Sequence, residues 1–222
     1  MISAIITAAG KNRRMEEDQK SLGIEVRNKL LLDLQGKPVI IQTLEHVQKT
    51  SVKESIVVLG HYSNEIKTML ENYIDNEIKV ISNPENGVEL SETLLNGVKN
   101  VKEGLCLCVA GDQPTVSGET MQKLVDAARQ HPDADNIVSI LARKDTGYLN
   151  TSEGLGMPFA CHSSLLKKYL PGRNDNLNPI LEDMIDDGVV FYGVPARDEL
   201  ELVNINHWED YLKVKKLFKD IR

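Results

Sequence analysis

Lys11, Arg13 and Arg14 lie within the stretch ITAAGKNRRM, Ile6 to Met15, directly after an apolar run. Cations that gather where a strand ends either hold an anion or are the solvated charges of a basic loop. The residues just before them are small. Ala8, Ala9 and Gly10 let backbone N–H groups approach a phosphate or a base closely. The guanidinium of Arg14 offers a planar fork to phosphate oxygens. Two familiar phosphate-binding strings are absent: there is no GxxxxGK[ST], and Gly10 alone does not make GxGxxG.

Two further stretches carry groups of the right type. Lys29 abuts Leu30, Leu31 and Leu32 in NKLLLDLQGKPVIIQTL. An apolar run holds the lysine stem and displays the ammonium, which suits a fixed cation facing a phosphate and equally an ordinary snorkelling lysine. Asp112 follows an apolar run and Gly111 in CVAGDQPTV. A carboxylate at the end of a central strand suits Mg²⁺, which takes one or two carboxylates plus substrate phosphates. Gly-Asp-Gln-Pro is also ordinary turn chemistry.

These groups meet only if the chain folds so that strand ends converge. Apolar strand-like runs alternate with amphipathic ones: SAIITAA, then a helix over PVIIQTLEHVQK with Pro38 in its first turn. SIVVLG, IKVIS, LCLCVAG and NIVSIL read as further strands. The helices between them are SNEIKTMLENYI, capped by Ser63 or Asn64, LSETLLNGVKNV, capped by Ser91, and one capped near Ser117. This rhythm predicts an α/β fold of three layers, α/β/α, around a mostly parallel Rossmann-like sheet. Ligands then bind at the carboxyl ends of the strands, where AAGKNRRM and AGDQP both fall. In the second half, RKDTGYLNTSEGLGMP reads as an edge loop, and SSLLKKYL and NPILEDMIDDG as helices. VVFYGVP and ELVNIN read as short strands, and WEDYLKVKKLFKDI as a closing helix. No repeat or linker divides the chain, so residues 1–222 are expected to form one domain.

Bulk properties narrow the function. The 222 residues carry 26 Lys and Arg against 33 Asp and Glu, a formal charge of −7, which disfavours non-specific nucleic-acid binding. No stretch approaches the roughly 20 apolar residues of a membrane span, and the N-terminus lacks a basic leader, so a cytoplasmic protein is expected. The three cysteines, Cys106, Cys108 and Cys161, form no disulfide framework or zinc spacing; the first two read as core. The five histidines show no metal spacing; His61, at a strand end, is a candidate edge of a base pocket. Trp208 reads as a packing anchor, and KVKKLFK as the solvated face of a terminal helix.

In this order, A-A-G-x-x-x-R-M, K-L-L, G-K-P and G-D-Q-P resemble the nucleotidyltransferases related to molybdenum cofactor cytidylyltransferase. ENGVELSETLLNGV, GLGMPFACHSSLL and VNINHWEDY extend the resemblance over nearly the whole chain. The resemblance implies a fold of the nucleotide-diphospho-sugar transferase type. It also implies Mg²⁺-dependent transfer of a nucleoside monophosphate, CMP from CTP on the A-A-G form, to a phosphorylated acceptor such as molybdopterin. Ala8, Ala9 and Gly10 would lie against the nucleotide, Arg14 on the triphosphate and Lys29 at the α-phosphate. Asp112 and Asn206 would hold Mg²⁺, Ser91 and Thr93 would lie near the nucleotide, and Gly156 and Pro158 would line the acceptor side.

The chain departs from the pattern in four places. Asn12 replaces Gly or Ser, in a turn that Asn tolerates. EEDQKSLGIEV, which reads as a flexible loop, separates Lys29 from Arg14. The terminal D-I-D becomes Asn204-Ile205-Asn206, and Met157 and His207-Trp208 replace His and Thr-Pro on the acceptor side or next to the metal. Alternative readings are a guanylyltransferase using GTP on another phosphorylated small molecule, or a nucleotide-binding accessory protein that has lost catalysis. A glycosyltransferase would carry D-x-D where GDQP supplies one carboxylate.

Overall fold

A computed structural model of the chain describes residues 1–73, 78–85 and 87–220. In chain order the first half comprises β1 (Ile2–Ala8), α1 (Arg13–Ser21), β2 (Asp33–Leu34), β3 (Lys37–Pro38), α2 (Val39–Gln48), β4 (Glu54–Leu59), α3 (Ser63–Leu70), β5 (Ile78–Ser82), α4 (Leu90–Lys99) and β6 (Leu105–Ala110). The second half comprises α5 (Gly118–Gln130), β7 (Ile137–Ala142), β8 (Gly147–Leu149), β9 (Phe159–His162), α6 (Ser163–Tyr169), α7 (Leu177–Asp186), β10 (Val190–Pro195) and α8 (Trp208–Asp220).

The main sheet has eight strands in the order β5-β4-β1-β6-β9-β7-β10-β8, and β2 with β3 makes a separate two-stranded ladder. β1 lies inside the sheet between β4 and β6, with Ile5 opposite both Ile56 and Cys108 in parallel register. Side chains alternate between two cores. Ala4, Ile6 and Ala8 face α2, α3, α5 and α8, whereas Ile5 faces α4, α6 and α7. Both faces are therefore covered, which is why the strands read as continuous apolar runs. α4 reaches β1 closely because Gly97 has no side chain: a Cβ there would lie 2.4 Å from Ile5 Cγ2. Cys106, Cys108 and Cys161 are buried thiols of this second core, the first pushed by burial up to about 12.

The expected fold class holds, with local corrections. β9 runs antiparallel to both β6 and β7, and β8 antiparallel to β10, so the sheet is mixed at these places. The short FACH run lies behind Gly and Pro and offers no periodicity of its own. EEDQKSLGIEV is not a flexible loop over its first half: α1 extends through Ser21, because Met15 and Gln19, four residues apart, are both buried. ELVNIN is not a strand. Glu199–Leu202 form a 3₁₀ turn, and the arm after it is held by single contacts rather than a ladder.

Two helix caps also differ. α3 starts after Tyr62 in left-handed conformation, with no side-chain cap from Ser63 or Asn64. α4 starts at Glu89, whose capping box with Glu92 displaces Ser91 from that role. Pro38 precedes α2 rather than entering its first turn. Ser117 caps α5 as expected, accepting from Thr120 N–H at 3.2 Å. Ile74, at the expected end of α3, Asn86 in the ENGVELSETLLNGV segment and Ile221, at the end of the closing helix, lie outside the described residues. Among those described, no helix is long and apolar enough to cross a membrane.

Candidate active site

The carboxyl ends of β1 and β6 open into a cavity of about 630 Å³. Ala8, Ala9 and Gly10 form one wall, and Lys11, Arg14, Lys29 and Asp112 line it with Thr93 and Asn206. The strand-end convergence expected from the sequence is therefore present. Gly111 N–H donates to Thr7 O at 2.9 Å, tying the two strand ends together. The Ala9 methyl packs onto the neighbouring loop, where a Cβ on Gly60 would stand 2.8 Å from it.

The centre of the site is a lysine held between two oxygen ligands. Lys29 Nζ donates to Asp112 Oδ2 in a short ion pair, and to Asn206 Oδ1 at 3.0 Å. Arg14 Nη2 donates to the same Asn206 oxygen at 3.0 Å. The Lys29 and Asp112 side chains are only 15% and 14% exposed, so solvent screens this pair weakly. Asp112 Oδ1 is buried with no partner in the protein, although a buried carboxylate oxygen ordinarily finds one. A carboxylate with one oxygen unpartnered, sharing the Lys29 ammonium with an amide oxygen, is a donor set suited to a hard cation such as Mg²⁺. Among the described residues no three His, Cys, Asp or Glu side chains form a metal cluster. Such an ion would have to complete its shell with substrate oxygens.

The backbone around these groups is fastened by residues the sequence reading passed over or left without a role. Asn12 sits in left-handed conformation (φ 59°) and closes the excursion between Arg14 and Lys29. Its Oδ1 accepts from Lys29 N–H at 3.1 Å, and its Nδ2 donates to Arg27 O at 3.2 Å. Asn28 then accepts from Leu30 N–H at 2.8 Å, starting the 3₁₀ turn Lys29–Leu31. Across the site, the terminal arm is held by Ile205 N–H donating to Asp112 O at 3.0 Å. Gln113 is wholly buried, accepts from Ala110 N–H, and donates to Met157 O at 2.6 Å and Asn204 Oδ1 at 3.0 Å. Its position directly after Asp112 was the available signal.

α1 completes the frame. Asp18 Oδ2 accepts from Trp208 N–H at 2.9 Å and contacts His207 Nδ1 at 3.0 Å, so α1 fastens the start of α8, just beyond Asn206. The Trp208 N–H bond lowers the Asp18 carboxyl pKa, and His207 adds to the effect against a smaller cost of burial. Trp208 packs on Tyr211 with ring centroids 5.0 Å apart, an anchor as expected. Tyr62 reaches α1 from the β4–α3 loop through a short hydrogen bond to Glu16, the main reason its hydroxyl is raised to about 12.

Some expected site residues lie elsewhere. Ser91 is fully buried, accepts from Asp175 N–H at 3.0 Å and does not line the cavity. Arg13 is exposed outside it, and Lys11 pairs with Glu89 across its mouth at 3.3 Å. His61 borders a separate shallow cavity with Tyr62. Gly156 lines an adjoining cavity of about 630 Å³, which shares Arg14, Met157, Asn204 and Asn206 with the first. Pro158 is buried behind it, its carbonyl accepting from Leu141 N–H at 3.0 Å.

Comparison with known proteins is consistent with this geometry. Residues 4–183 match the MobA-like NTP transferase domain. A nucleotidyl transferase from Methanothermobacter thermautotroptrophicus is 42% identical and superposes with a TM-score of 0.92, over 100% of this chain and 99% of that one. A bifunctional protein GlmU of Streptococcus pyogenes is 30% identical over 149 residues, 65% of this chain and 32% of that protein. The chain spans about a third of the length of the curated relatives it matches. A Mycobacterium tuberculosis protein solved with manganese shares the fold at 17% identity and a TM-score of 0.63, over 97% of this chain and 98% of its own.

Proposed function

The chain belongs to the MobA-like NTP transferase family of nucleotidyltransferases, and from that premise we propose that it moves CMP from CTP onto a phosphorylated small molecule of the molybdopterin kind. An acceptor phosphate oxygen attacks the α-phosphorus, the bond from that phosphorus to the bridging oxygen breaks, and pyrophosphate leaves with the electron pair. The observation that carries this reading is the cluster of Lys29, Arg14, Asp112 and Asn206 with its partnerless buried Asp112 oxygen.

Catalysis of this kind is mostly positioning and neutralisation of charge. Ala8, Ala9 and Gly10 present backbone to the nucleotide, and Arg14 forks the triphosphate. Lys29 leaves its pairing with Asp112 and Asn206 to meet the α-phosphate. Asp112 and Asn206 would hold Mg²⁺, which when bound offsets the charge of the phosphate oxygens. The manganese in a fold relative suits a divalent ion in this role. Gly156 and Pro158 shape the acceptor side. CTP is favoured on the A-A-G form of the first loop. A cytoplasmic setting fits such a cofactor or nucleotide pathway enzyme.

Thermal unfolding with CTP, GTP, ATP and UTP, each with and without Mg²⁺, tests the reading. A ligand at a hundredfold excess over Kd stabilises by about 2.7 kcal/mol. A Mg²⁺-dependent shift with CTP supports it. GTP alone redirects it to guanylyl transfer, and a metal-independent shift favours a nucleotide-binding accessory protein. No shift with any triphosphate overturns it.

A further inference from the structure

The adjoining cavity holds two guanidiniums, Arg14 and Arg143. Arg143 is half-buried and, among the described residues, has no carboxylate within ion-pairing distance. It donates to Leu202 O at 2.9 Å and, more weakly, to Asn204 Oδ1 at 3.4 Å. Among the described residues one carboxylate lines this cavity, Asp210, and it is engaged by Asn206 N–H at 3.0 Å and His207 N–H at 2.8 Å. The lining thus carries two guanidiniums against a single carboxylate, and neither guanidinium is paired with it.

The cause is the terminal Asn-Ile-Asn. Asn204 Oδ1 faces Arg143 and Asn206 Oδ1 faces Arg14. Each neutral amide accepts a bond where a carboxylate would form an ion pair and consume the charge. A partly desolvated guanidinium left with neutral partners is best compensated by an anion that arrives with the ligand.

Resting on the nucleotidyl-transfer reading above, we propose that Arg143 is a specificity-determining residue for the acceptor: it receives the phosphate of a phosphomonoester in this cavity, and Asn204 keeps it free to do so. Arg14, bonded to Asn206, lines both cavities and can therefore meet phosphate oxygens of acceptor and triphosphate alike. The acceptor is selected first by its charge, and the neutral amides at 204 and 206 are the residues that make this possible.

The test is calorimetric titration of glycerol 3-phosphate, a minimal phosphomonoester, with glycerol as the neutral control. It uses the full chain, free and saturated with the α,β-methylene analogue of the triphosphate that stabilises it best. R143Q is expected to weaken glycerol 3-phosphate binding about tenfold to a hundredfold, the range of a charge-assisted hydrogen bond, while triphosphate stabilisation is retained. N204D keeps the guanidinium in place but pairs it, so it is expected to weaken the same binding with little change in unfolding temperature. Binding by R143Q or N204D as tight as wild type overturns the inference, as does the absence of phosphomonoester binding by the wild-type chain. Failure of every triphosphate to stabilise the chain removes the proposed function instead, and titration of the free chain still reads Arg143 by itself.

Discussion

Asn12 shows how one side chain fixes the chemistry of a loop. The position needs a left-handed backbone, which Asn tolerates better than most residues. The amide then spans the ends of the excursion, from Lys29 N–H to Arg27 O, and so aims Lys29 at Asp112. Gly at this position keeps the backbone and loses the clasp, whereas Ala loses both. Asn12→Gly is expected to cost about 1–2 kcal/mol for its lost hydrogen bonds, and Asn12→Ala about 1 kcal/mol or more beyond that; denaturant unfolding measures both. In steady-state assays, Asn12→Gly should lower kcat more than it raises KM for the triphosphate. Lys29→Ala is expected to lower kcat at least a hundredfold, the scale of a lost transition-state charge contact. Much of this centre was legible in the sequence. Lys29, Asp112 and Arg14 are groups whose chemistry is local to their motifs. Arg143, Gln113 and the clasp were not legible, because their partners are contributed by segments 15 to 91 residues away.

At the scale of elements, α1 and α8 bear on the site through one carboxylate. Asp18 accepts the first N–H of α8 and so sets where Asn206 stands relative to Asp112. Its pKa lies below the usual aspartate range when folded. That docking is therefore complete above the unfolded value near 3.9 and is lost as pH falls through the lowered one. Asp18→Asn is expected to speed amide exchange at Trp208 and to raise the divalent-metal concentration needed for half-maximal activity. Unchanged values for both would mean that α1 is only a surface helix. The segment read as a flexible loop because Glu16, Glu17, Asp18, Gln19 and Lys20 are consecutive polar residues. Only the burial of Met15 and Gln19 against the rest of the protein makes it a helix. Tertiary packing also decided β9, too short to carry a pattern, and the Asn204–Asn206 arm, whose alternation resembles a strand but whose bonds go to side chains and to the Asp112 carbonyl. The central strands were readable because both of their faces are apolar, and α4 because its pattern holds through Gly97. Gly97→Ala adds a carbon 2.4 Å from Ile5 and is expected to cost about 1–3 kcal/mol by overpacking, read from the denaturation midpoint.

For the whole molecule, the terminal arm has to be joined to the sheet from outside the ladder, and a buried carboxylate makes that joint. Glu201 is 1% exposed. It accepts from Ser117 N–H at 2.9 Å, from Arg197 N–H at 2.8 Å and from the Thr120 hydroxyl at 2.8 Å, so it binds the arm to the start of α5. Burial by itself raises its pKa, but the bonds from Ser117, Arg197 and Thr120 together outweigh it, and the net direction is down. Asp18 and Asp187 are lowered as well, so the folded chain binds fewer protons at these three sites than the unfolded chain does in the acid range. Their contribution is full above about pH 4.5, near the ordinary carboxylate values, and stability falls as pH drops through the lowered ones. Glu201→Gln keeps the shape but replaces an ionised acceptor of three bonds with a neutral amide, one end of which can only donate. It is expected to cost about 2–4 kcal/mol at neutral pH and to flatten the acid limb of the stability curve. Because the same joint carries Asn204 and Asn206, triphosphate-dependent stabilisation should shrink in parallel. A variant with wild-type stability at pH 7 and an unchanged slope between pH 5 and 3 would show that the arm is held without this carboxylate.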